Sequence, residues 1–192
     1  LSGDAGNDWL DGGSNADTIS GGDGNDTIDA GSEDDVVYGG AGSDSIFGGE
    51  GRDYILYDLG DDTVYGGGGD DYIDALEGQR YVGRNLVYGG DGADRVYTGL
   101  DADSAYGGTG ADTIDGEEGD DLIYGGAGAD ALFGDEGRDT FVMQDGDFAL
   151  GDLVDDEMDL YPALNAVTTL LGVPWFHVPG NHDVDPGASA DE

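Results

Sequence analysis

The sequence predicts an all-β fold of short, repeated strands over roughly its first three quarters, followed by a short βαβ segment. Three observations carry that expectation. A nine-residue pattern recurs from Gly3 to Val142, glycines return at fixed places in it, and one large aliphatic or aromatic residue returns at its eighth place. The period stops after Val142, which sets expected domains of 1–146 for the repeats and 147–192 for the remainder.

The unit reads G-G-x-G-x-D-x-U-x, where U is the large apolar residue. It is complete from Gly21 to Asp29 and returns from Gly39, Gly48, Gly66, Gly89, Gly107 and Gly125. Near copies start at Gly3, Gly12, Gly116 and Gly134, and degenerate ones at Ala30, Tyr57, Ala75 and Thr98. The first six places form a tight turn, because glycine accepts positive φ values that side chains resist. The last three form a short strand whose alternate side chains face opposite sides. The U residues point inward: Leu10, Ile19, Ile28, Val37, Ile46, Ile55, Val64, Ile73, Val96, Ala105, Ile114, Ile123, Leu132 and Phe141. Ala105 is the weakest of them.

Composition narrows the function. Five basic residues against 45 acidic ones give a net charge of −40, so nucleic acid and anionic membrane are poor partners. An acidic disordered tail is the other reading of such a charge, but the apolar fraction is 37% and its members are regularly spaced. Carboxylates set at a fixed interval point to cations. No run of 18 apolar residues offers a membrane span. No secretory leader is visible, and the chain opens on Leu1 inside the pattern, which suggests a piece of a longer protein. With no cysteine, disulfides play no part.

The repeat resembles that of the RTX (haemolysin-type) calcium-binding proteins. The resemblance implies that two units make one 18-residue turn of a right-handed coil, a parallel β-roll with two sheets and a thin core between them. It also implies calcium held between loops one turn apart. Calcium takes six to eight oxygens in flexible geometry, more than one loop offers. The expected carboxylate ligands on one edge are Asp8, Asp26, Asp44, Asp62, Asp103, Asp121 and Asp139. On the other edge they are Asp17, Asp35, Asp53, Asp71, Asp94, Asp112 and Asp130. Turn carbonyls complete the shells, such as those of Gly22, Gly24, Gly40, Gly42, Gly49, Gly51 and Gly67. Gly69, Gly90, Gly92, Gly108, Gly110, Gly126 and Gly128 continue the series. Neighbouring intact pairs suggest about eleven calcium ions. The resemblance further implies an extracellular, secreted protein whose roll folds on binding calcium.

Two irregularities stand out. The unit from Ala75 has Arg80 in the aspartate's place and about five extra residues before Gly89. One edge is therefore expected to lack metal around residues 75 to 85, with an outward bulge from Gln79 to Asn85. At the ninth place, Phe47, Tyr65, Tyr88, Tyr106 and Tyr124 line up on one sheet. They suit either rung-to-rung stacking or a patch for a carbohydrate or protein partner, whose identity the sequence leaves open.

Beyond the repeats, Phe148–Val154 reads as a strand, Leu160 to Leu171 as a helix and Val173–Val178 as a second strand. Gly151-Asp152-Leu153-Val154-Asp155 and Gly180-Asn181-His182-Asp183 resemble two motifs of the calcineurin-like metallophosphoesterases. The resemblance implies that Asp152 and Asn181 ligate metal and that His182 contacts phosphate as a catalytic residue, at a binuclear divalent site in a complete parent. The family's first motif, D-x-H, is absent, since the only histidines are His177 and His182.

Overall fold

In the computed structural model, residues 1–75, 83–144 and 146–151 are described. They form strands and turns only, and among them no helix is long and apolar enough to cross a membrane. The strands pair in parallel within two sheets. One has nine strands, from Ser2–Ala5 to Phe148–Gly151, and the other eight, from Trp9–Asp11 to Thr140–Val142. Successive strands alternate between the sheets, so the chain winds as a solenoid of about eight turns, the parallel β-roll expected from the repeat.

Register follows the period. Ile28 lies beside Ile46 and Ile46 beside Val64, each pair 18 residues apart. One inward residue per strand builds the core: Ile19, Ile28, Val37, Ile46, Ile55, Val64, Ile73, Val87, Val96, Ile114, Ile123 and Leu132 are fully buried. Leu10 and Phe141 pack against its two ends. Small residues at the first and second places let the rungs stack closely. A methyl group built on Gly40 would stand 2.1 Å from the carbonyl oxygen of Gly22 one turn below, and Gly40 itself has φ of 104°. Only glycine combines that dihedral with that approach at no cost.

Two side-chain ladders tie the loops together. At the sixth place each N–H donates forward to the aspartate Oδ1 one turn later, as from Asp26 to Asp44 at 2.8 Å and from Asp44 to Asp62 at 2.7 Å. At the fifth place the direction reverses. The N–H of Ser43 donates back to Oδ1 of Asn25 at 3.0 Å, and that of Arg52 to Asp34 at 2.9 Å. An aspartate or asparagine at either place thus satisfies a loop N–H that no sheet partner reaches.

The irregular unit sits differently from the expectation. Leu86, Val87 and Tyr88 pair with Thr63, Val64 and Tyr65, an offset of 23 residues. The position-six residue of this rung is Asn85, not Arg80, and the extra residues precede Gly83 rather than following it. Gly83 and Asn85 are buried within the roll, so the outward bulge does not extend to them. The physical reason is packing: this register puts Val87 into the core and Asn85 onto the ladder. Gln79 to Val82 lie outside the described residues.

At the C-terminal end, strand Phe148–Gly151 pairs in parallel with Ala131–Asp135 and closes the nine-stranded sheet. The strand expected to open the βαβ segment is thus a rung of the roll, and the first compact unit spans Leu1–Asp152.

Candidate metal sites along the two loop edges

The position-six aspartates stand in two files, one on each edge of the roll. The hydrogen-bonded succession on the first edge runs Asp8, Asp26, Asp44, Asp62, Asn85, Asp103, Asp121 and Asp139. On the second it runs Asp17, Asp35, Asp53, Asp71, Asp94, Asp112 and Asp130. The alternation expected from the repeat places all fourteen in these files, and Asn85 joins the first.

Beyond the first turn, one oxygen of each carboxylate is tied up in the ladder. Oδ1 accepts the N–H of the preceding rung. Oδ2 is buried with no hydrogen-bond partner in Asp8, Asp26, Asp35, Asp44, Asp53, Asp62, Asp71, Asp94, Asp103, Asp112, Asp121 and Asp130. Twelve orphaned carboxylate oxygens among the described residues is far above the few unsatisfied groups a folded protein ordinarily holds. A buried anionic oxygen without a donor demands a proton or a cation.

The surroundings favour a hard cation. A methyl group on Gly21 would meet the carbonyl oxygen of Gly39 at 2.4 Å and Oδ2 of Asp26 at 2.5 Å. The same pairing of next-rung carbonyl and own-rung Oδ2 surrounds Gly48, Gly66, Gly89 and Gly107. Further carbonyls run along the coil axis at the second and fourth places, since those of Gly22 and Gly24 point at Gly40 and Gly42. Among the described residues no three His, Cys, Asp or Glu side chains gather in one group. Backbone carbonyls must therefore supply most of any shell. A donor set rich in neutral oxygens with one or two carboxylates fits calcium and not zinc or copper. The position-one carbonyls, of which Gly39 is an example, are donors that the sequence reading overlooked; the repeated first glycine was the signal.

Electrostatics agree. Burial, reinforced by neighbouring aspartates and partly offset by the backbone N–H, pushes Asp62 and Asp103 up to about 8. The same causes raise Asp71 and Asp121 to about 7, and Asp44, Asp53, Asp94 and Asp112 to about 6. The files hold carboxylates against their preference to be hydrated or protonated, which is the condition a divalent ion relieves.

The first edge is interrupted at Asn85. Its Oδ1 accepts the N–H of Asp62 at 3.1 Å, and its own N–H donates to Asp103 at 2.6 Å, so the ladder is intact. Its second atom is different: Nδ2 is a donor, 3.4 Å from the carbonyls of Gly83 and Thr98. Tyr57, at a first place that is glycine in the complete units, is fully buried with its hydroxyl 3.0 Å from the Tyr97 carbonyl and 3.1 Å from that of Thr98. Thr98 Oγ1 in turn donates to the Gly116 carbonyl at 3.0 Å. Here the roll satisfies carbonyls with its own donors, and an amide NH₂ cannot ligate a cation.

The aromatic file is self-stacked. Phe47, Tyr65 and Tyr88 follow one another with centroids 4.9 Å apart and planes within 2° of parallel, and Tyr106 continues at 4.9 Å. Within this run neighbouring rings lie face to face, the rung-to-rung stacking that the ninth place allows. Asp152, Asn181 and His182 lie outside the described residues.

No curated protein matches this chain. The family described as RTX calcium-binding nonapeptide repeat (4 copies) matches residues 1–28, 20–55, 29–64, 58–82, 81–105 and 106–141. These matches run through most of the chain and over both files of aspartates, and the protein belongs to the RTX calcium-binding nonapeptide repeat family.

Proposed function

We propose that the roll is a secreted calcium-binding module that is unfolded in low calcium and folds on meeting millimolar calcium outside the cell. The observation that carries this reading is the set of twelve buried, unpartnered Oδ2 atoms. Neighbouring aspartates make five pairs on the first edge, where Asn85 splits the file, and six on the second. We assign one ion to each pair, about eleven in all, bound by the aspartates together with turn carbonyls of the glycines named above. A net charge of −40 opposes compaction of the metal-free chain, and ions that bind only the folded form offset it. Ion sites built largely of neutral carbonyls suit the weak calcium affinities of extracellular modules. Circular dichroism in chelator and then in excess calcium tests the coupling. A coil spectrum converting to β on calcium addition is expected; a spectrum unchanged by calcium, or fewer than a handful of bound equivalents by calorimetry, refutes it.

A second reading concerns a longer parent. The paired motifs at Gly151–Asp155 and Gly180–Asp183 favour a metal-dependent phosphoesterase that carries the roll. Phosphatase assay of that parent with and without Asp152→Ala decides it: equal or absent activity removes the reading.

A further inference from the structure

The second file of aspartates does not end where the nonapeptide pattern does. The segment after Val142 has no recognisable unit, and the family match stops at residue 141. The chain nevertheless makes one more rung. Gly146 adopts φ of 114° and comes over Gly128, the fourth-place glycine one turn earlier, with a methyl group on it 3.0 Å from the Gly128 carbonyl. Phe148, Ala149 and Leu150 then pair with Ala131, Leu132 and Phe133 at an offset of 17 instead of 18. The rung is a repeat with its fifth residue deleted, which brings Asp147 directly to the aspartate's place.

Asp147 continues the ladder that the position-six aspartates form, but with both of its oxygens engaged. Its Oδ1 receives the N–H of Asp130 at 3.4 Å, extending the ladder by one step. Its Oδ2 accepts the N–H of Gln144 at 2.5 Å, which fixes the carboxylate across the shortened loop. A further difference lies at the first-place glycine. A methyl group on Gly107 would meet Oδ2 of Asp112 at 2.4 Å and the neutral carbonyl of Gly125 at 2.3 Å. On Gly125 it would meet Oδ2 of Asp130 at 2.6 Å and, in place of a next-rung carbonyl, Oδ2 of Asp147 at 3.1 Å. Asp130 is 2% exposed and its Oδ2 has no hydrogen-bond partner. Two carboxylates thus converge on the Gly125 backbone, one of them buried and unsatisfied.

We infer that Asp130 and Asp147 form a further calcium site at the C-terminal end of the roll, with Oδ2 of Asp147 standing by Gly125 where the interior first-place glycines meet a next-rung carbonyl. The inference rests on the calcium reading of the interior files. Like each interior pair, it brings two carboxylates to one divalent ion. It also explains why an acidic residue can end the file without leaving a buried anion unpaired.

The test is native mass spectrometry of the full chain across a calcium titration, comparing wild type with Asp147→Asn. Asparagine keeps an oxygen for the Asp130 N–H but loses the charge. Hydrogen exchange of the Phe148–Gly151 amides in saturating calcium reports whether the last rung still pairs. The expected result is a variant that loads one calcium fewer while those amides stay protected. The inference is overturned if the variant loads as many ions as wild type, or if its lost equivalent comes with lost protection, which makes Asp147 a structural residue only. A wild-type chain that binds almost no calcium would instead sink the reading of the interior files, a result distinguishable from either.

Discussion

Asp53 shows what one aspartate does for the roll. Its Oδ1 holds the N–H of Asp35 at 2.9 Å, while its buried Oδ2 waits beside the backbone of Gly48. Asp53→Asn retains the ladder and replaces the anionic oxygen by a donor. The chain is expected to lose one or two calcium equivalents by calorimetry, each worth about 1.4 kcal/mol at ten times its Kd. Tyr57→Phe separates the other kind of rung. Removing a buried hydroxyl that serves the Tyr97 and Thr98 carbonyls should cost about 1 kcal/mol in thermal unfolding, with the calcium count unchanged because no site uses it. Glu33 sits at φ of 77°, a turn position that is glycine in the complete units. Glu33→Gly relieves a left-handed conformation and should raise stability by about 1 kcal/mol in calcium, read as a higher Tm.

At the scale of the strand, a three-residue rung such as Tyr54–Leu56 is too short to stand alone, and it is held by neighbours on both sides in parallel register. The aromatic file adds to that cohesion. Tyr65 touches rings on both sides, Phe47 and Tyr88. Tyr65→Ala removes two stacks worth about 0.5–1.5 kcal/mol each, so a lowered Tm without any change in calcium stoichiometry is expected. Unchanged stability would show that the rings do not hold the sheet together. The rung at Asn85 carries a related lesson. Counting nines from Ala75 puts Arg80 at the ligand place and Val82 at the core place, yet the rung that pairs with Thr63–Gly68 is Leu86–Asp91, which sets the amide of Asn85 and not a guanidinium on the ladder. With a valine at the eighth place in either register, it is the ladder residue that tells the two apart.

For the whole molecule, the balance between protons and calcium follows from the carboxylate files. Unfolded aspartates titrate near 3.9, and in the folded, metal-free roll burial lifts eight of them into the range of about 6 to about 8. The folded form therefore binds more protons than the unfolded form between these limits. Its stability is retained below about pH 4 and lost as pH rises through 6 to 8. The metal-free chain should gain β structure by circular dichroism on acidification from pH 8 to 5, and calcium should be bound more weakly there because protons compete for the same oxygens. A metal-free chain whose spectrum is flat over that interval would show that burial of these carboxylates does not limit folding.

Periodicity was enough to specify the short strands and the residues facing the core, and the resemblance to the RTX repeat implied the coil and the fourteen aspartates on two edges, because a solenoid repeats one local solution and each unit declares its own turn, strand and ligand. What the amino-acid order could not reveal was how the coil absorbs a departure from the period. That Asn85 takes the ladder place, that Tyr57 fills a place held by glycine in the complete units, and that Asp147 ends the second file depends on contacts between residues 17 to 41 apart. An insertion or deletion can be placed in several ways along a loop, and only the packing of neighbouring rungs selects among them. The orphaned Oδ2 atoms belong to the same category: burial of one oxygen and pairing of the other are properties of stacked turns, not of any single nine-residue unit.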